Sequence, residues 1–445
     1  MLVQFVVKNF TCFKEETKLS MVASNYDKTR WDDNIIEVPK FNLNLLRSAV
    51  MYGANASGKS KLLKAMAFMN YMVRSSSKDK QIDDPIEITP FLLNEATENA
   101  PSLFEVIFIQ NNVMYRYGFE VTTKEVVTEW LYRRKSTKEA EIFYREYQDF
   151  EVNASSFKKG KILADNQMVK KNTLLLSAAA QFDDTIAKEV LGWFRSFNIL
   201  SGLQDEHYTG FSVSMLNHKK LKSEVMQFIN GADLNIMDLK PIEMDIDKLP
   251  KELPQKMRES IVKSVKEGKG TFFSDISVFH KKYDANNQFS KMVEFSLDDD
   301  ESSGTKKYFA FSAPLITTLH NGEVTAIDEL DAKLHPNLVC KIVGLFNSKE
   351  TNVKNAQLIF NTHDTNLLAS GLFRRDQIWF TEKDRYGAAT LYALSDFKKE
   401  NGDKARNSED YEINYIQGRY GAVPYLGDFD KLFRTQKELA YEDEK

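Results

Sequence analysis

Short apolar runs and helically spaced apolar positions alternate along this chain and predict an α/β protein interrupted by a patch of antiparallel strands. Leu2 to Val7 reads as a strand, Asn9 to Phe13 as a turn, and Thr17 to Val22 as a returning strand. From Ser48 the run Ala49-Val50-Met51-Tyr52 has the length and bounds of a buried strand. Leu62, Leu63, Ala65, Met66 and Met69 then recur at helical spacing, predicting a helix over 61–74. The charged, serine-rich residues 75–85 read as a surface loop.

The pattern changes at Phe104. Phe104 to Ile109 and Val113 to Val121 flank Gln110-Asn111-Asn112 as a hairpin, and Val126 to Arg133 and Ala140 to Tyr147 add two more strands. Thr173 to Ala180 is apolar, and Ile186 to Ile199 reads as an amphipathic helix. Further helical patches fall at Leu221 to Ile229 and Lys251 to Glu267, with no heptad run long enough for a coiled coil. Two late apolar strands, Val324 to Ile327 and Leu358 to Phe360, each run directly into polar residues.

The 445 residues are enough for two or three domains, or for one large core with an insertion. With 42% apolar and 28% charged residues the composition is that of an ordinary globular protein. A net charge of −4 gives no global attraction to nucleic acid or membrane, so any such contact has to be local. The two cysteines, Cys12 and Cys340, lie outside any metal-ligand spacing and read as buried thiols in a reducing compartment. Neither a signal peptide nor a membrane span is legible, so a cytoplasmic location with no membrane contact is expected.

The candidate chemistry centres on Gly53-x-x-x-x-Gly58-Lys59-Ser60, set between the strand ending at Tyr52 and the helix that follows. Its two glycines let successive N–H groups converge on one anion, and the new helix contributes its positive end. Lys59 is placed to reach β- and γ-phosphates, and Ser60 to hold Mg²⁺. Gly53, Ser57, Gly58, Lys59, Ser60 and Lys61 are therefore the expected contacts to ATP.

The strand Val324 to Ile327 ends in Asp328 and Glu329, the pair such a site needs: one acid to hold Mg²⁺ through water, one to polarise the attacking water. Ser302-Ser303-Gly304-Thr305 opens a helix and offers a second anion-binding terminus or, taken alone, an ordinary cap. His363 closes the strand Leu358 to Asn361, at the edge where open α/β sheets bind ligands.

The order of these segments, phosphate loop, ESSGT, IDELDAKLHP and FNTHD, resembles the ABC-type ATPases of the SMC, RecF and OLD-nuclease kind. Within that group it is most similar to the compact AAA-type ATPases of prokaryotic anti-phage and abortive-infection systems, the AbiL, Septu and PARIS type. The closing run Gly418 to Pro424 is similar to that group as well.

The resemblance implies an ABC-type head with a mixed central sheet, an antiparallel β subdomain and a helical insertion. It makes Asn55 a phosphate-loop contact and Ser302, Ser303, Gly304 and Thr305 a signature loop acting on the ATP of a second copy, although Ser303 stands where the commoner signature has glycine and Thr305 where it has glutamine. It makes Asp331 a residue of the dimer interface, His363 the switch histidine and catalytic partner of Glu329 and Lys59, and Gln181 a candidate Mg²⁺ sensor. The expected divisions are 1–200 (first lobe), 201–295 (mainly helical insertion), 296–395 (second lobe) and 396–445 (closing tail).

Three functional readings follow. The first is an ATPase whose homodimer or larger homo-oligomer regulates an effector protein, a nuclease or toxin. The second is a RecF-like head binding DNA, for which His218 to Lys222 and Lys158 to Lys161 are the basic candidates. The third is an OLD-like nuclease, for which Glu409, Asp410 and Glu412 would be the candidate cluster of tail acids.

Overall fold

The computed structural model describes residues 1–243 apart from 80 and 233, residues 255 and 259, and residues 273–397 and 410–424. The chain opens with β1 (Leu2–Lys8), β2 (Thr17–Ser20), the pair β3 (Ile35–Val38) and β4 (Leu43–Leu46), then β5 (Ser48–Gly53) and the long helix α1 (Lys59–Asp79). Strands β6 (Ser102–Gln110), β7 (Val113–Val121), β8 (Val126–Arg134), β9 (Glu139–Glu146) and β10 (Asp149–Val152) follow. Helices α2 (Lys158–Asp165), α3 (Leu175–Gln181) and α4 (Thr185–Ser196) lead into β11 (Phe197–Ser201).

Next come α5 (Glu206–Leu216), α6 (Lys219–Asn230), β12 (Asp238–Glu243), β13 (Phe273–Tyr283) and β14 (Phe289–Ser296). The described chain finishes with α7 (Ser303–Asn321), β15 (Val324–Asp328), α8 (Pro336–Asn347), β16 (Gln357–Asn361), β17 (Ile378–Lys383), β18 (Ala389–Ala393) and α9 (Tyr411–Ile416).

The early β patch is a seven-stranded antiparallel sheet in the order β10-β9-β8-β7-β6-β1-β2. Alternation explains it: Phe104, Val106 and Phe108 of β6 are buried while the residues between them are partly exposed. That inner face packs on α4, where Phe108 stacks on Trp193 with ring centroids 4.3 Å apart. On α1, Met66, Met69, Met72 and Val73 supply the facing apolar stripe.

A buried ion pair locks the outer strands to α3. Glu129 and Arg145 are both fully buried, 3.6 Å apart. Glu129 accepts hydrogen bonds from Leu175 N, Leu176 N and Tyr117 Oη at 2.6, 3.0 and 2.9 Å, capping the start of α3. Arg145 donates to Thr173 O at 2.6 Å. Removing one charge would strand the other in a dry interior, so Glu129→Ala is expected to cost about 3–5 kcal/mol. A melting-temperature series checks this, with Glu129→Gln, which keeps the acceptor oxygen, falling between the variant and wild type.

The central sheet has the order β11-β15-β16-β5-β17-β18. Its first five strands are parallel and only β18 runs against them, so the sheet is mixed. β5 lies between β16 and β17, which come more than three hundred residues later. The expected first and second lobes thus share one sheet. β11 corrects the sequence reading: the helix expected to reach Ile199 stops at Ser196, and Phe197 to Ser201 pair with β15 instead. Asn70 of α1 fixes that break by donating to Phe194 O and Phe197 O, both at 3.0 Å.

The 201–295 segment also differs from expectation. Its described residues hold α5 and α6 but also a three-stranded antiparallel sheet, β12-β13-β14, so they are not mainly helical. The helix expected over 251–267 falls almost wholly outside the described residues. α5 and α6 pack on α7 through Phe228 and Tyr308, whose rings stack at 4.5 Å, and through Ser212 Oγ, which donates to Ala310 O at 2.9 Å.

Candidate functional site

The parallel strands end side by side at one edge, bringing together Gly53 of β5, Asn361 of β16, Asp328 of β15 and Ser201 of β11. The phosphate loop turns there. Gly53 has φ +154°, and a Cβ on it would run into Thr381 of β17, so only glycine lets the loop start this close to the sheet. Ala56 at φ +61° and Gly58 at φ +129° complete the curl. Lys59 and Ser60 open α1, where amides have no intrahelical acceptor.

Lys59 is buried and donates to Gly53 O at 2.6 Å and Ala54 O at 3.1 Å. Burial pulls its pKa down to about 8, against the opposing pull of Glu329, Asp328 and Asp331. The expected contacts do not all face the anion. Ser57 is buried and its Oγ lies 2.5 Å from Thr381 Oγ1, so it pins the loop to β17. The Lys61 amide is already bonded to Gly58 O at 3.0 Å and its side chain is exposed. Asn55 is exposed on the loop and Ser60 is partly exposed at the first turn of α1.

Asn361, which the sequence reading passed over, holds the two acids in register. Its Oδ1 accepts from Glu329 N at 2.6 Å and its Nδ2 donates to Asp328 Oδ1 at 2.5 Å. Glu329 sits at φ +54°, an uncommon conformation for this residue, directly after the strand. Among the described residues its carboxylate makes no hydrogen bond, which leaves it available to a water. Gly202 packs so tightly against this turn that a Cβ there would overlap the Glu329 carbonyl.

Asp331 Oδ2 accepts from His363 N at 3.2 Å, while its Oδ1 is buried with no partner among the described residues. His363 is exposed; burial of part of its ring and the Lys59 ammonium pull its pKa below the usual value, against Asp331, Glu329 and Asp328. The imidazole is therefore neutral at pH 7.

Ser302 caps α7, its Oγ accepting from Thr305 N at 3.1 Å, and Ser302 and Ser303 are exposed. Gly304 lies against the Lys333 carbonyl, where a Cβ would sit at 2.8 Å. One turn into the same helix, fully buried Lys307 donates to the carbonyls of Glu329, Leu330 and Ala332 at 3.2, 3.0 and 2.6 Å. The loop after β15 therefore hangs on α7 through a single ammonium.

Gln181 does not join the site. It is exposed at the end of α3, and α3 meets α1 at Ser77, roughly 27 Å of helix beyond Lys59. The loop after β11 is the one that reaches the acids: Gly202 N donates to Asp328 O at 2.6 Å, and Asp205 pairs with Lys333 at 2.7 Å. Gln204 lies in that loop. The tail acids within the described residues are structural, Asp410 capping α9 and Glu412 accepting from Thr365 Oγ1 at 2.8 Å.

The residues present suit a triphosphate with a divalent cation: a buried lysine and open loop amides face an acid pair, and one buried carboxylate oxygen of Asp331 lacks a donor among the described residues. A bound triphosphate would favour the charged form of Lys59, so binding above pH 8 has to take up a proton. ATP affinity is accordingly expected to fall as pH rises from 8 to 9.5, by up to about tenfold per unit, and to be flat from 7 to 8. Calorimetric titrations in buffers of different ionisation enthalpy check this; Lys59→Met should lose the proton uptake.

No curated protein matches the sequence. Among solved structures the chain is similar to the SMC head domain from Thermotoga maritima, with 13% identity over 88% of this chain and 98% of that one and a TM-score of 0.39. It is similar also to the SmcHead bound to the C-winged helix domain of ScpA (13% identity, 88% and 97% covered, TM-score 0.42). A third is the Smc head domain with a coiled coil and joint derived from Pyrococcus yayanosii (11% identity, 88% and 97% covered, TM-score 0.36). Residues 48–369, from the first residue of β5 to beyond the end of β16, match the family described as "AAA domain, putative AbiEii toxin, Type IV TA system". Because that span is most of the chain and holds the phosphate loop together with both acids, the chain belongs to this family and is a nucleotide-binding ATPase of the AAA kind.

Proposed function

We propose that this ATPase hydrolyses ATP with Mg²⁺ and that ATP joins two copies, each signature loop closing on the triphosphate held by the other. The observation that carries the chemistry is Asn361 gripping both Asp328 and Glu329 on the strand next to the phosphate-loop strand. Lys59 and the loop amides bind the β- and γ-phosphates, Glu329 orients the attacking water, and His363 faces the γ-phosphate. Ser60 and Asp328 would hold Mg²⁺, which would neutralise charge on the phosphates. The loop at Ser201 to Asp205, with Gln204, takes the sensing role first assigned to Gln181.

The outlet of this cycle is control of an effector, a nuclease or toxin, in anti-phage defence. The family description, with its toxin and toxin–antitoxin terms, supports that reading. Among the described residues no helix is long and apolar enough to cross a membrane, in keeping with work in the cytoplasm.

Light scattering after size exclusion tests the assembly. ATP with Mg²⁺ should double the mass of the wild type and leave Lys59→Ala unchanged, and Gly304→Asp should bind ATP yet stay at the starting mass. A wild type whose mass ignores ATP would sink the two-copy scheme. A gene for a nuclease or toxin beside this one favours the effector reading, and recombination genes favour a RecF-like DNA-binding head.

A further inference from the structure

β13 and β14 run past the buried part of their sheet as a hairpin whose outer half breaks the rules of strand pairing. Lys282 lies directly opposite Lys291, with Lys281 beside it. Like charges facing each other across a ladder weaken it. All three lysines are exposed, and among the described residues none has an acidic partner. The nearby acids are engaged elsewhere: Glu294 accepts from Ser277 Oγ at 2.5 Å, and Asp284 accepts the turn amides of Asn286 and Gln288 at 2.8 and 2.9 Å. At the tip, Tyr283 and Phe289 are paired across the strands and are 54% and 58% exposed. A hairpin that breaks local rules without local compensation is a candidate for binding something that supplies it.

Unpaired cations flanking two exposed rings fit a flexible polyanion carrying stackable bases. A duplex would meet the lysines but keep its bases from the rings. A protein strand added along β14 would satisfy backbone groups but leave Lys282 facing Lys291. The hairpin is also wired to the signature loop. Glu301 Oε1, one residue before Ser302, lies 2.7 Å from His280 Nε2 on β13, and the His280 ring stands edge-on to Phe295 at 5.3 Å.

We propose that the β13–β14 hairpin docks single-stranded nucleic acid, with Lys281, Lys282 and Lys291 on phosphates and Tyr283 and Phe289 against bases, and that the His280–Glu301 contact carries its occupancy to the signature loop. The docking half is independent of the function proposed above; the coupling half rests on it.

The test is fluorescence anisotropy with labelled oligothymidylate and oligouridylate of about 20 nucleotides, at two salt concentrations, alongside ATP turnover. A triple variant with Lys281, Lys282 and Lys291 changed to Gln should bind about tenfold more weakly or worse, with a log–log salt slope shallower by about two. Its turnover without oligomer should equal that of the wild type. Tyr283→Ala with Phe289→Ala should weaken binding and leave the salt slope unchanged. His280→Ala should bind the oligomer as the wild type does, yet its turnover should no longer respond to it.

A wild type that does not bind, a triple variant that binds equally well, or a duplex of equal length that binds as tightly would overturn the docking site. Binding with no change in wild-type turnover would overturn the coupling alone. A wild type without any turnover removes the function proposed above, while the anisotropy still decides the docking.

Discussion

Glu329→Gln is expected to bind ATP as tightly as the wild type but to turn it over at least about a hundredfold more slowly. The substitution is nearly isosteric, and the backbone contact from Glu329 N to Asn361 Oδ1 does not depend on the side chain. The left-handed backbone at this position is equally open to glutamine. What disappears is the charged acceptor, which among the described residues has no protein partner to serve. The variant should therefore hold ATP and keep two copies joined. Single-turnover hydrolysis with a filter-binding assay for retained nucleotide separates the two effects. Turnover within about twofold of wild type would remove Glu329 from the water-handling role.

Asn361→Ala should be nearly as damaging, for a different reason. Asn361 is fully buried, and its side-chain amide hydrogen-bonds to both residues of the acid pair. Truncation leaves the Glu329 amide and an Asp328 oxygen without their partner, at about 1–3 kcal/mol for each. The acid pair then loses its register with the phosphate loop. Turnover is expected to drop about a hundredfold, with a lower melting temperature, while ATP binding changes much less because Lys59 is held by the Gly53 and Ala54 carbonyls rather than by Asn361. Wild-type turnover in this variant would mean that the acids are positioned by the β15 backbone alone. A drop in affinity as large as the drop in rate would point instead to collapse of the whole strand edge.

Much of this site was legible before the fold was seen, because phosphate binding imposes local rules. Gly53, Gly58 and Lys59 must lie within one turn between a strand and a helix, and Asp328 and Glu329 must end a buried strand. The residues that escaped notice act across distance. Asn361 and Lys307 look like an ordinary strand end and an ordinary helix lysine until β15 and α7 are placed beside them. β11 is hidden in the sequence because Phe197 and Ile199 continue the apolar period of α4, and the helix is ended by tertiary contacts, with Asn70 of α1 and pairing with β15. Gln181 follows the apolar run at 173–180, but the chain still has to turn through α4 and β11 before it reaches the acids. β14 gave no alternating signal, since both of its faces meet solvent.

The position of β5 governs the order in which a growing chain can complete itself. The antiparallel sheet draws all its strands from the first 152 residues and can assemble while synthesis continues. β5, whose six residues are all buried in the finished fold, has to wait for β16 and β17 to leave the ribosome. Until then the future phosphate loop has no strand on either side to anchor it. A nascent chain stalled before residue 357 should therefore be unable to retain nucleotide, and its bare apolar strand would be a natural client for a chaperone.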